Sequence, residues 1–232
     1  YLAGWQLIPG AFRPDLNRSR ANYERLLGIH FRLRAVARHP SCPNTDDFGS
    51  WMFLMQHFRL PTRLLDWTES PLVGAYFALW NDIDPQRGEP NDAEIFALAP
   101  NSLNKSQLPH GKLALIEDKE LRHLIPNWLL SESDENEGSD VAAKGRAKVA
   151  AVLPAQVDQR VVAQQGVFTI HAPGVGIESL PRSEIFLTRI RIPAARRERI
   201  RRDLLAMGVR PMNLFPDLDH LSADLKNFEH VI

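Results

Sequence analysis

Cysteine is almost missing from this chain: Cys42 is the only one in 232 residues. A single thiol excludes an internal disulfide and any zinc site built on several cysteines. Net charge is missing as well, with 28 Lys and Arg against 28 Asp and Glu. A surface given over wholesale to nucleic acid would be strongly basic, so that class is excluded, although a local basic face is not. No apolar run is long enough to cross a bilayer and no secretory leader pattern opens the sequence. The expectation is a soluble, cytoplasmic protein with no membrane partner. Several signatures of chemistry are absent too: a Gly-rich phosphate loop, a dinucleotide-binding fingerprint, His-Glu-x-x-His and a Gly-x-Ser-x-Gly elbow. Asp217 and Asp219 are a lone close pair of carboxylates, short of the ligand set a hard cation needs, so no metal is expected.

What remains is ordinary globular material, 44% apolar and 24% charged. That length and composition suit one core, and no linker or internal repeat divides it. The stretch from Trp51 to Trp80 organises the rest. Trp51, Met52, Leu54, Met55 and Phe58 lie upstream, and Leu72, Val73, Tyr76, Phe77 and Leu79 lie downstream. Between these flanks sit Gln56, His57, Arg59, Thr62, Arg63, Asp66, Thr68 and Glu69. Polar groups pinned between two buried segments need partners, so the cluster reads as a structural network or an active site. Ser70-Pro71 starts a helix that runs to about residue 82, with Ser as cap and Pro in the first turn. Leu60-Pro61 forces extended chain before Thr62. In the functional reading, Asp66 orients or deprotonates a hydroxyl, His57 is an acid or base, and Arg63 grips an anion in bidentate fashion. Thr62, Thr68 and Gln56 then line the pocket. In the structural reading, Arg63 pairs with Asp66 and caps the helix.

Elsewhere the pattern predicts a strand over 4–9 and a helix over 20–38 that carries several arginines. A second helix ends at His57, with Asp46 and Asp47 in its first turn. Strands are expected over 93–99, 149–153, 167–171, 185–192 and 209–214. Helices are expected over 118–130, 156–165 and 193–207, with a closing helix striped by Leu218, Leu221, Leu225 and Phe228. Residues 131–148 are acidic and poor in apolar side chains, which predicts a mobile surface loop; a charged lid is the alternative. Arg160, Gln164 and Gln165 precede Gly166 and could read a nucleobase or carboxamide edge, or simply cap a helix. The arginines from Arg189 to Arg202 could contact nucleic-acid phosphates, or form a solvated helix face. Together these elements predict a single α+β domain with a mixed or antiparallel central sheet flanked by helices.

Gln56-His57-Phe58-Arg59-Leu60-Pro61-Thr62-Arg63-Leu64-Leu65-Asp66-Trp67-Thr68, then Ser70-Pro71 and Ala75-Tyr76-Phe77-Ala78, resembles the signature of the FRG domain family. The family's amino-terminal Phe/Tyr-Arg-Gly motif corresponds to Phe12-Arg13-Pro14, with Pro14 in place of Gly. The likeness is dense over 5–80 and looser over 160–225, where Gln164–Phe168 and Leu214–Asp217 carry it. It implies a ligand contact for Arg13 and an effector of bacterial and phage conflict. It also implies a nucleotide or other small-molecule ligand and, as partner, an antitoxin or phage protein. The order of parts is similar to the ADP-ribosyltransferase class. That similarity implies NAD as substrate, with Arg13 on phosphate or ribose, Thr62 to Phe77 as the Thr-bearing segment, and an acid still to be assigned. Asp66 is the first choice for that acid, with Glu184 and Asp217 candidates by position. A non-catalytic module that binds a nucleotide, RNA or a phage protein is the alternative, and a metal-independent nuclease using His57 and Arg63 is a third reading.

Overall fold

A computed structural model describes residues 6–13, 20–80, 92–126, 147–154 and 158–226. Most of the acidic stretch 131–148 and all of 81–91 lie outside the described residues.

The helix α2 (Phe48–His57) is the centre of the main core. Asp47 caps it, its carboxylate accepting the Ser50 amide at 3.0 Å. Met52 and Met55 are completely buried, and Trp51, Phe53 and Leu54 are buried with them. This apolar helix needs a sheet to cover it, and four strands supply one. The order is β1 (Leu64–Thr68), β5 (Gly166–His171), β4 (Val149–Leu153), β3 (Ala114–Leu115). β1–β5 and β5–β4 are antiparallel and β4–β3 is parallel, so the sheet is mixed. Among the described residues, β1 takes a strand partner on one side only.

β1 alternates as a strand must. Leu64 joins α2, Phe168 and Ile170 in one cluster, whereas Leu65 and Trp67 pack on the other side with Leu7, Phe96 and Leu98. A separate antiparallel pair, β2 (Ala93–Leu98) with β6 (Leu187–Ile192), borders that second cluster. The helix α3 (Pro71–Trp80) begins at the expected place, and Ser70 Oγ accepts the Val73 amide at 3.4 Å. It packs with α6 (Arg197–Ala206) and β2 in a third cluster around Val73, Leu79 and Leu204. The remaining helices are α1 (Arg20–Ala35), α4 (Pro100–Gln107), α5 (Gln159–Gln164), α7 (Pro211–Leu214) and α8 (Leu218–Lys226). From α4, the buried Asn104 amide both donates to the Ala151 carbonyl and accepts its amide, fastening the helix to β4. The architecture is a single α+β domain, as expected.

Three elements differ from expectation. Residues 6–9 form no strand: Ile8 N–H donates to Gln6 O at 2.9 Å and Pro9 leads into a 3-10 turn at Gly10–Phe12. Residues 119–124 are 3-10 rather than α-helix. Residues 209–214 end in the short helix α7, because Pro211 suits a helix's first turn and an apolar run this short fits either class.

Inside the four-stranded sheet lies one polar chain. Trp67 Nε1 donates to Thr169 Oγ1 at 3.0 Å, and that hydroxyl lies 2.8 Å from His171 Nε2. His171 Nδ1 lies 2.8 Å from the Val175 carbonyl, so it carries the proton and Nε2 accepts from Thr169. Thr169 and His171 are wholly buried and both fully satisfied.

Candidate functional site

Asp66 projects from β1 on the side that faces α2, opposite Phe168 on β5. Solvent reaches its side chain although protein crowds around it, as in an open hollow. Burial pushes this carboxyl above the usual carboxylate range. Four influences pull the other way without cancelling it: the Gln56 hydrogen bond, the positive charge of Arg160, a hydrogen bond from Asp66's own backbone amide and the charge of Arg13.

Gln56 ends α2 at this point and donates from Nε2 to Asp66 Oδ2 at 2.7 Å. Its orientation is fixed from behind. The Thr62 hydroxyl donates to Gln56 Oε1 at 2.6 Å and accepts the Leu64 amide at 3.1 Å. Thr62 is buried, so the amide of Gln56 has one way round that satisfies both neighbours. The polar run 56–66 is thus a relay from threonine to glutamine to aspartate.

The cations arrive from opposite ends of the sequence. The turn at Gly10–Phe12 docks on the entry to β1, where Ala11 N–H donates to the Thr62 carbonyl at 3.1 Å. Arg13 follows that turn, and its Nε donates to the Ile8 carbonyl at 3.2 Å. Arg160 lies in the first turn of α5; its Nη1 donates to the His57 carbonyl at 3.4 Å and its guanidinium sits 5.4 Å from the centre of the Phe215 ring. His57 is half-buried beside it, with Nδ1 2.7 Å from Asp158 Oδ2. Asp158 also caps α5, accepting the amides of Arg160 and Val161. Arg13, Gln56, His57, Thr62, Asp66 and Arg160 therefore form one assembly.

Three predicted residues go elsewhere. Arg63 is buried and holds Glu24 of α1 through two bonds of 2.9 and 2.6 Å, with a third to the Leu124 carbonyl at 2.7 Å. It joins α1 to the sheet and neither faces the hollow nor pairs with Asp66. Thr68 spends its hydroxyl on backbone, donating to Gln164 O at 2.7 Å and accepting the Ser70 amide at 3.1 Å. Gln165 is exposed in the left-handed region (φ 48°) at the end of α5, and its carbonyl accepts the Glu69 amide at 3.0 Å. Thr68 and Gln165 together tie the end of β1 to α5, which holds Arg160 in place.

Among the late arginines, Arg197 and Arg201 donate to the Leu79 carbonyl. Arg191 pairs with Asp92, and Arg189 lies 3.8 Å from Glu94 and over the Phe96 ring. Glu184 is exposed in a 3-10 turn, and Asp217 is engaged by His220. A separate cavity of about 320 Å³ opens against the start of α2, between Asp47, Phe48, Ile116 and Arg122, and contains none of the predicted residues. Among the described residues, no group of three or more His, Cys, Asp or Glu could hold a metal, and no helix is long and apolar enough to cross a membrane.

Sequence reasoning missed Glu24, Asp158 and the ring of Phe215. Glu24 left a trace: it is the only acid in an otherwise basic α1. Asp158 left one too, as an Asp just before a short helix, the ordinary mark of a cap.

Comparison with known proteins gives one positive finding. The family model of the FRG domain matches residues 2–87. No curated protein and no solved structure matches the chain.

Proposed function

Because residues 2–87 are an FRG domain, with Arg13, Gln56, Thr62 and Asp66 inside it and Arg160 brought to it from outside, we propose that this hollow binds a nucleotide and cleaves its N-glycosidic bond. The substrate is NAD, and the outcome is hydrolysis or ADP-ribosyl transfer. One observation carries the reading: a solvent-reached carboxylate, Asp66, is held by a Gln56 amide that Thr62 fixes, with Arg160 anchored on the carbonyl of the adjoining His57.

The chemistry follows from that arrangement. Arg13 and Arg160 would hold a pyrophosphate, as guanidiniums do. The Asp66 carboxylate would face the ribose. As the C1′–N bond breaks, its electron pair passes to the nicotinamide ring nitrogen and neutralises the pyridinium. Positive charge grows on the ribose, and the Asp66 carboxylate stabilises it. Water, or an acceptor nucleophile, then forms the new bond to C1′ and gives its proton to Asp66. The Gln56 amide, locked by Thr62, would keep the carboxylate from turning away. A role as an effector against a host or an infecting phage follows from the family resemblance alone.

The test is calorimetric titration of the chain with NAD⁺ and ADP-ribose, beside an assay of nicotinamide release. Arg13→Ala and Arg160→Ala are expected to weaken binding at least about tenfold, the loss of one charge-assisted contact. Asp66→Asn is expected to bind and not cleave. Tight binding by the unaltered chain without any cleavage would assign it to the binding-only class, and absence of binding would end the nucleotide reading.

A further inference from the structure

Beside Arg160 stands an aromatic pair that the chemistry above leaves unused. Phe215 and His220 stack with ring centres 4.2 Å apart and planes within 17°. The stack is held from several directions. Phe77 of α3 meets Phe215 edge-on at 6.1 Å, and Gln164 Nε2 donates to the neighbouring Leu214 carbonyl at 3.0 Å. His220 Nδ1 lies 2.8 Å from both oxygens of Asp217, which also accepts the His220 amide at 2.8 Å.

The direction of that last contact matters. A hydrogen bond at Nδ1 lies in the imidazole plane, so Asp217 grips the ring by its edge and leaves both faces clear. Phe215 covers one face. The other has no ring against it among the described residues, and the side chain is about one-third exposed. Arg160, which donates to the His57 carbonyl, rests on the same Phe215 ring at 5.4 Å. The two spacings keep the imidazole within the span of one extended nucleoside diphosphate from that guanidinium. A part-exposed flat ring, with no second ring stacked on it among the described residues and an arginine within nucleotide distance, matches the shape of a base-stacking platform.

We propose that the Phe215–His220 stack is the base subsite of the Asp66 hollow, so that its ligand is a nucleoside diphosphate or a dinucleotide rather than a bare phosphorylated sugar. The inference rests on the nucleotide reading above and adds where the base lies. Phe215 supplies the rigid backing and Arg160 links it to the phosphates. Asp217 sets the tilt of the imidazole.

The experiment compares ADP with inorganic pyrophosphate as ligands of the whole chain, by calorimetry. ADP is expected to bind at least about tenfold more tightly, the lower range for one base stacked on an aromatic side chain. His220→Ala is expected to remove that preference, whereas His220→Phe, which keeps a flat ring without the Asp217 tie, retains it. Thermal melting of both variants checks that α8 stays folded. Equal affinity for ADP and pyrophosphate overturns the base subsite and leaves the hollow as an anion site. Failure of both ligands overturns the nucleotide reading and the subsite with it. An undiminished preference in His220→Ala places the base elsewhere and overturns the subsite alone.

Discussion

Acid will destabilise this fold through one imidazole. His171 is wholly buried, and burial holds it down to about 4 against an ordinary 6.5. The hydrogen-bond chain explains why it stays neutral: Nε2 already accepts from Thr169, whose oxygen is itself occupied by Trp67. A second ring proton would face a hydroxyl pointed the wrong way. In the unfolded chain the same imidazole takes up a proton as the pH falls below 6.5, while the native one does not until about 4. The stability contribution is therefore complete above 6.5 and is lost progressively down to the folded value. Linkage gives a loss of about 2 kcal/mol at about pH 5 and about 3 kcal/mol at about pH 4. Urea denaturation over that range, compared between the natural chain and His171→Gln, isolates this share from that of the carboxylates. The variant is expected to start less stable and to lose less as the pH falls. Nitrogen-resolved NMR of the ring reads the same claim directly, as a neutral Nδ1–H tautomer that persists well below pH 6. A titration near 6.5, or parallel urea profiles for the two proteins, would refute the reasoning.

Other outcomes can be checked independently. Arg63→Met is expected to cost about 3–5 kcal/mol by urea denaturation, because it strands the buried Glu24 charge, and the double variant with Glu24→Gln is expected to regain much of that loss. If the single variant keeps full stability, the pair is not the clamp described here. Gln56→Glu places a second carboxyl 2.7 Å from Asp66 and is expected to raise the site's acid titration further, visible as an upward shift of the acid limb in a pH–rate profile. An unmoved limb would mean that Asp66 is not the titrating group. Thr68→Val is expected to lower stability by about 1–2 kcal/mol through the lost Gln164 and Ser70 contacts, read as a lower melting temperature.

The local grammar of the chain was readable. Ser70-Pro71 placed α3, Asp47 and the apolar run placed α2, and the polar residues between them include Gln56, Thr62 and Asp66, which the fold brings together. What could not be read was which residues meet. Thr62 and Gln56 are six apart and could be guessed as neighbours, but Arg160 reaches the site from the far side of the sequence through a helix whose anchor is the Thr68–Gln164 contact. Arg63 shows the converse. Its bidentate potential was recognised, yet the choice between Asp66, three residues away, and Glu24, in another helix, depends on packing that local pattern does not encode. Residues 209–214 show a third limit, because a short apolar run satisfies strand and helix periods equally until Pro211 is given its weight.

The one-sided pairing of β1 has a consequence for how the protein comes into being. Among the described residues, the strand that bears Asp66 has one hydrogen-bonding neighbour, and that strand begins only at Gly166. While the chain emerges from a ribosome, this acid has Gln56 beside it but no strand partner for about a hundred residues, and the second guanidinium and the aromatic stack come later than the acid too. The unfinished polypeptide thus carries the signature without the hollow.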